Sequence, residues 1–169
     1  MRKNLVLLGM MGVGKTTVGK IVAKKHNLEF IDTDANIEKN YSMKISEIFK
    51  KKGEKFFRIE EEKEVLNSLK RNNCVISLGG GAFMNTNIRN EILENSISIW
   101  LDIDLKTLHK RIIWNKKRPL LNKKNNQKRI EQLYSERKNI YKLANHKIDC
   151  NNIDKENVVK KIIDCYEKY

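Results

Sequence analysis

The chain is predicted to fold as an α/β protein, a parallel sheet covered by helices on both faces. Two observations predict this. Strand-like and helix-like segments alternate along all 169 residues, with no repeat and no linker. The segment Gly9-Met10-Met11-Gly12-Val13-Gly14-Lys15-Thr16 also fits the pattern G-x-x-x-x-G-K-S/T between an apolar run and a helical pattern.

The elements follow in order. Residues 5–8 (Leu-Val-Leu-Leu) are continuously apolar and read as a buried parallel strand. Residues 16–25 read as a helix, with Val18, Ile21 and Val22 on one face. A second strand over 29–31 ends at Asp32-Thr33-Asp34, and helical patterns follow through Ile37, Ile45, Ile48 and Phe49 and again over 54–69. A third strand over 74–78 is closed by Gly79-Gly80-Gly81; a helix over about 86–94 leads to a fourth strand over 97–101. Asp104 suits the cap of the next helix, which runs to about Trp114. Residues 115–127 are polar with few apolar anchors, a helix spans about 128–141, a short strand spans 146–149, and Asp154 starts the last helix. In parallel sheets ligands collect at the carboxyl ends of the strands. The loops at 9–16, 32–34 and 79–81 all follow strands at that edge.

Bulk properties bound the function. The length suits one domain, 1–169, able to bury about 70% of its unfolded surface without staples. No run approaches the ~20 apolar residues of a membrane span. The apolar run after Arg2 and Lys3 ends inside the glycine loop, so a signal peptide is not expected. Cys74, Cys150 and Cys165 lie far apart without metal spacing and read as reduced thiols of a cytoplasmic protein. The net charge of +14 raises the question of nucleic acid. The lysines are scattered and interleaved with acids, as in Arg58-Ile59-Glu60-Glu61-Glu62-Lys63-Glu64, which describes a solvated face, and no nucleic-acid partner is expected. No oligomer stripe is evident, so a monomer is expected. Only eight residues are arginine in a chain that otherwise chooses lysine, which directs attention to Arg58, Arg118 and Arg137 as places needing a planar, bidentate donor.

The candidate chemistry begins at the glycine loop. Its N–H groups and the following helix N-terminus can cradle phosphates, Lys15 supplies a point charge to the β- and γ-phosphates, and the Thr16 hydroxyl can ligate Mg²⁺. Asp32 and Asp34, two apart at a strand end, are expected to face the same way. Asp32 is assigned to the metal sphere and Asp34 to the proton of an attacking hydroxyl, with a helix cap as the alternative duty of Asp34. Three glycines at 79–81 exceed what a turn needs and permit a ligand against bare backbone; a flexible loop is the alternative. Arg58 and Arg137 as a pair suit a planar carboxylate, whereas either alone suits a surface arginine. Arg118, beside the only proline, suits a lid over 115–127 that closes on the β/γ-phosphates.

Together these motifs resemble the shikimate kinase family over nearly the whole chain. The resemblance rests on residues 9–16, Asp32-Thr33-Asp34, Phe57-Arg58-Ile59-Glu60-Glu61, Gly79-Gly80-Gly81, Arg118-Pro119-Leu120-Leu121, and Glu136-Arg137 followed by Tyr141. It implies a three-layer P-loop NTPase fold of the nucleoside-monophosphate-kinase type, with a five-stranded parallel sheet and a lid. It also implies transfer of the ATP γ-phosphate to the 3-hydroxyl of shikimate, a step toward chorismate. On that resemblance Gly12, Val13, Gly14, Lys15, Thr16 and Thr17 hold the ATP phosphates, and Thr16 binds Mg²⁺ with Asp32 reaching it through water. Asp34 acts as base. Arg58, Arg137 and the backbone of Gly79, Gly80 and Gly81 bind shikimate, and the substrate-binding helical region spans about 34–62. Glu61 places Arg58, Phe49 and Phe57 wall the pocket, Arg118 is the lid arginine, and Arg111 lies near the adenine. The family's C-terminal adenine contact falls around 151–154. The alternative is another small-molecule P-loop kinase, for gluconate or a nucleoside monophosphate.

Overall fold

The computed structural model describes residues 3–114 and 124–169. Five strands, β1 (Asn4–Leu8), β2 (Glu29–Asp32), β3 (Cys74–Ser77), β4 (Ser96–Asp102) and β5 (His146–Asp149), form one sheet in the order β2-β3-β1-β4-β5. Every pairing is parallel, with Leu5 opposite Val75 and Ile97, and Asp32 opposite Ser77. The helices are α1 (Lys15–His26), α2 (Thr33–Tyr41), α3 (Ile45–Leu69), α4 (Thr86–Asn95), α5 (Leu105–Trp114), α6 (Lys124–Tyr141) and α7 (Lys155–Tyr166). The expected α/β fold with a five-stranded parallel sheet is borne out.

The apolar run of β1 is the centre of the core. All five of its residues are buried, because the strand is paired on both edges and covered on both faces. The main core continues through Val75, Ile76, Ile99, Trp100, Val158 and Ile162. A second, smaller cluster joins Ile37 of α2 to Ile48 and Phe57 of α3, so these two helices carry their own packing beside the sheet. Among the described residues, no helix is long and apolar enough to cross a membrane.

Two boundaries differ from expectation by more than a residue. β2 ends at Asp32, and α2 begins at once with Thr33. Asp34 therefore stands in the first turn of a helix, and the strand argument for a common direction of Asp32 and Asp34 does not hold. The capping duty also belongs to the other acid: the Asp32 carboxylate accepts from the Ala35 N–H at 3.1 Å. The two helical patterns at 45–49 and 54–69 stand as expected: α3 is two helical segments that meet at Gly53, whose backbone (φ 83°, ψ 166°) is not helical. α6 starts at Lys124, earlier than expected, so it takes the end of the polar segment 115–127. Asp104 and Asp154 cap as expected, accepting from the N–H groups of Thr107 and Asn157, each at 2.8 Å or less.

Candidate active site

The parallel register brings the ends of β1, β2 and β3 to one edge, and with them the three loops. The loop after β1 turns through positive φ at Gly9, Gly12 and Gly14, and Gly14 is the N-cap of α1 with a φ of 106°. Left-handed backbone there lets the chain enter a helix within a few residues. A Cβ at Gly9 would sit 2.6 Å from the Leu101 carbonyl oxygen, so this loop lies against β4 with no room for a side chain. The Lys15 ammonium is buried and donates to the carbonyls of Gly9 and Met10 at 2.9 and 3.0 Å, which holds it folded into the loop. Thr16 and Thr17 follow in the first turn of α1. The Thr16 hydroxyl donates to Asp32 Oδ2 at 2.7 Å. Arg111 reaches across from α5 and donates to the Val13 carbonyl and the Cys150 carbonyl, each at 3.1 Å, tying the loop to the end of β5.

Beside the loop lies a second group of residues. Thr33 joins α2 to the end of β3: its hydroxyl accepts from the Gly79 N–H at 3.2 Å and donates to the Ser77 carbonyl at 3.3 Å. Asp34, next in the chain, points at the same strand end. Its Oδ1 is buried without a hydrogen-bond partner among the described residues. Burial pushes the Asp34 carboxyl up to about 6, helped by the Glu61 and Asp32 carboxylates and opposed by Lys15.

The glycine triplet explains how these groups come together. A Cβ at Gly79 would meet Asp34 Oδ1 at 2.5 Å, one at Gly80 would meet an Arg137 guanidinium nitrogen at 3.1 Å, and one at Gly81 would meet Arg58 Nη1 at 2.5 Å. Each glycine thus admits one charged side chain against bare backbone. Arg58 is held by Glu61, which accepts from Nη1 at 2.7 Å, and by Glu54, which accepts from Nη2 at 3.2 Å. Glu61 is buried; desolvation raises its carboxyl, while Arg58 and then Arg137 draw it down. Phe49 and Phe57 pack with centroids 4.7 Å apart, and the Arg58 guanidinium lies over both rings at 5.8 and 5.3 Å. Arg137 is buried on α6, and one turn on the Tyr141 hydroxyl donates to the Gly80 carbonyl, fixing α6 to the triplet. Arg58, Arg137, Glu61 and Gly81 line a cavity of about 470 Å³.

Lys15, Thr16 and Asp32 therefore form one cluster, and Asp34, Arg58, Arg137 and Gly79, Gly80 and Gly81 form a second beside it. Arg118 and most of the expected lid lie outside the described residues. Sequence reasoning quoted Thr33 and Tyr141 within its motifs but gave neither a duty, and it missed Arg129, which also lines the cavity. Thr33 sits between two acids that drew all the attention. The one available signal for Arg129 is its four-residue spacing to Leu133 and Arg137, which puts all three on one helical face.

The family profile described as "Shikimate kinase" matches residues 11–167. The chain belongs to the shikimate kinase family. It is accordingly a kinase, a phosphotransferase of a family whose nucleotide substrate is ATP. The shikimate kinase of Sulfurihydrogenibium sp. is 42% identical over 161 residues, covering 95% of this chain and 96% of that protein. Shikimate kinase from Acinetobacter baumannii, solved in complex with shikimate, superposes with a TM-score of 0.91 at 30% identity, covering 99% of this chain and 94% of that one. A gluconokinase from Sinorhizobium meliloti, at 14% identity and a TM-score of 0.64 over 99% of this chain and 94% of its own, shares the fold alone. The family reading is thereby favoured over the gluconate and nucleoside-monophosphate alternatives.

Proposed function

We propose that this chain transfers the γ-phosphate of ATP to the 3-hydroxyl of shikimate, giving 3-phosphoshikimate and ADP on the route to chorismate. The observation that carries this reading is the glycine triplet, whose three residues abut Asp34, Arg137 and Arg58 in turn. Shikimate is a carboxylate at one end and hydroxyls at the other, and the site offers guanidinium groups at one end and a carboxylate at the other. Arg58 and Arg137 take the carboxylate by charge-assisted hydrogen bonds. Asp34 takes the hydroxyl proton; a carboxyl pushed up to about 6 is a stronger base than an ordinary one yet ionised at neutral pH. Anchoring at both ends fixes which oxygen faces the phosphorus, a positioning effect worth up to about 7–11 kcal/mol.

Residues Gly12, Val13, Gly14, Lys15, Thr16 and Thr17 take the ATP phosphates, and Arg111 lies on the adenine side. Mg²⁺ fits the oxygen donors brought together at Thr16 and Asp32, the hydroxyl as ligand and the carboxylate through water. When bound, it neutralises charge on the transferring phosphate. Arg118 in the 115–127 lid is assigned to the β/γ-phosphates, between α5 with Arg111 and α6 with Arg137. The chain works as a single cytoplasmic kinase domain, a monomer without nucleic-acid or membrane partners.

A coupled assay for ADP over shikimate, gluconate and mononucleotides tests the assignment. Turnover should require shikimate; selective turnover of another acceptor defeats it. A polynucleotide that binds with a steep salt slope would contradict the partner assignment.

A further inference from the structure

Most arginines among the described residues have partners that account for them. Arg58 pairs with Glu54 and Glu61, and Arg71 with Glu29 at 2.6 Å. Arg89 donates to the carbonyls of Phe83 and Met84, and Arg111 to those of Val13 and Cys150. Arg137 stands beside the Tyr141 hydroxyl and the Glu61 carboxylate. Arg129 is different. It is exposed, and its Nη1 reaches Gln132 Oε1, a neutral group less than one turn away, at 3.1 Å. Yet Arg129, Leu133 and Arg137 all line the cavity that Arg58 faces from α3.

The charges on that cavity give Arg129 a duty. Three arginines, Arg58, Arg129 and Arg137, stand among three acids, Glu54, Glu61 and Glu136. The lining is balanced only while Arg129 is counted; without it an anion would approach a lining with one excess negative charge. At the inner end Arg58 pairs with Glu61, and Arg137 stands beside the Tyr141 hydroxyl and the Glu61 carboxylate. Arg129 lies eight residues before Arg137, about 12 Å along the helix axis. A concave wall concentrates such a field and raises the local concentration of an oppositely charged ligand.

We infer that Arg129 is a substrate-recognition residue, which draws the carboxylate of the acceptor into the cavity and keeps the lining favourable to an anion once it rests on Arg58 and Arg137. This rests on the proposed shikimate reaction. Because the contribution is a field rather than a fork, a lysine serves nearly as well, and salt screens it.

Initial rates of Arg129→Gln and Arg129→Lys, with shikimate and ATP varied in turn, test the assignment. Arg129→Gln is expected to raise the shikimate KM about 3–10-fold at ~20 mM salt, with kcat and the ATP KM within about twofold, and the difference should shrink at ~300 mM salt. Arg129→Lys should restore most of the loss. The uncharged methyl ester of shikimate should not distinguish Arg129→Gln from wild type. An unchanged shikimate KM in Arg129→Gln, or a loss undiminished by salt, overturns the inference. Failure of the wild-type protein to turn over shikimate at all overturns instead the reaction on which it rests.

Discussion

The Thr16 hydroxyl donates to the Asp32 carboxylate at 2.7 Å, joining the first turn of α1 to the N-cap of α2. One carboxylate thus serves two helices, Oδ2 toward Thr16 and Oδ1 toward the Ala35 N–H. Asparagine caps a helix about as well as aspartate but carries no charge for a cation. Asp32→Asn is therefore expected to leave unfolding stability within about 0.5 kcal/mol while raising the Mg²⁺ concentration for half-maximal activity about 10–100-fold. Mg²⁺ titration of the rate at fixed ATP checks this. An unchanged half-maximal concentration would remove Asp32 from the metal sphere.

Asp34 should show opposite effects on activity and stability. Its carboxyl is pushed from an ordinary 3.8 up to about 6 in the folded protein, burial first and the Glu61 and Asp32 charges next. An acid with a higher pKa folded than unfolded binds more proton in the folded state between those values. Stability therefore declines as pH rises from about 4 through about 6, and the cost persists at neutral pH. Asp34→Asn removes that cost. Urea unfolding of the protein without metal or nucleotide should show a gain of about 1–3 kcal/mol at about pH 7.5 that largely disappears near pH 4. Turnover should be lost, with ATP binding nearly intact by fluorescence titration. A variant no more stable than wild type at neutral pH, or one that still turns over, would count against this account.

How much of this was legible follows from the range of each signal. The phosphate loop is a local pattern flanked by its own strand and helix, so residues 9–16 could be read directly. The β2–α2 junction was misjudged by two residues, because both Asp32 and Asp34 are good caps and composition cannot choose between them. The structure chooses Asp32, since β2 stays paired with β3 up to that residue. The start of α6 was missed because Lys124, Asn125, Asn126 and Gln127 include no apolar residue to mark a helical period. The meeting of Gly80 with Arg137 and of Gly81 with Arg58 is long-range, set by the packing of α6 and α3 against the end of β3. Only the family resemblance put those residues together in advance. Arg129 had no motif of its own and gains meaning only from the cavity it lines.

Arg58 separates the roles of charge and geometry. Its guanidinium uses Nη1 for Glu61 and both Nε and Nη2 for Glu54, and it lies over Phe49 and Phe57. Lysine keeps the charge that buried Glu61 needs but loses the fork and the flat face. Arg58→Lys should fold and should raise the shikimate KM about 10–100-fold, with the ATP KM changed less than about threefold. Steady-state kinetics with each substrate varied separately decide this. Equal effects on both constants would remove Arg58 from the acceptor site.

The glycine triplet allows a paired comparison. A methyl at Gly79 meets Asp34 Oδ1 at 2.5 Å and Glu61 Oε1 at 3.0 Å, whereas a methyl at Gly81 meets the far end of Arg58. Asp34 is a short side chain in the first turn of α2, packed at the end of β3, and cannot yield without moving helix or strand. Arg58 is long and partly exposed, and its tip can swing aside. Gly79→Ala is therefore expected to lower stability by about 1–3 kcal/mol and to cut kcat about 100-fold, by displacing the proposed base, Asp34, from the acceptor hydroxyl. Gly81→Ala should leave stability within about 0.5 kcal/mol and act chiefly on the shikimate KM, because the displaced group is the proposed carboxylate anchor. Urea unfolding and steady-state kinetics on the two proteins side by side separate these patterns. A kcat effect confined to Gly81→Ala, with a KM effect confined to Gly79→Ala, would reverse the roles assigned to Asp34 and Arg58.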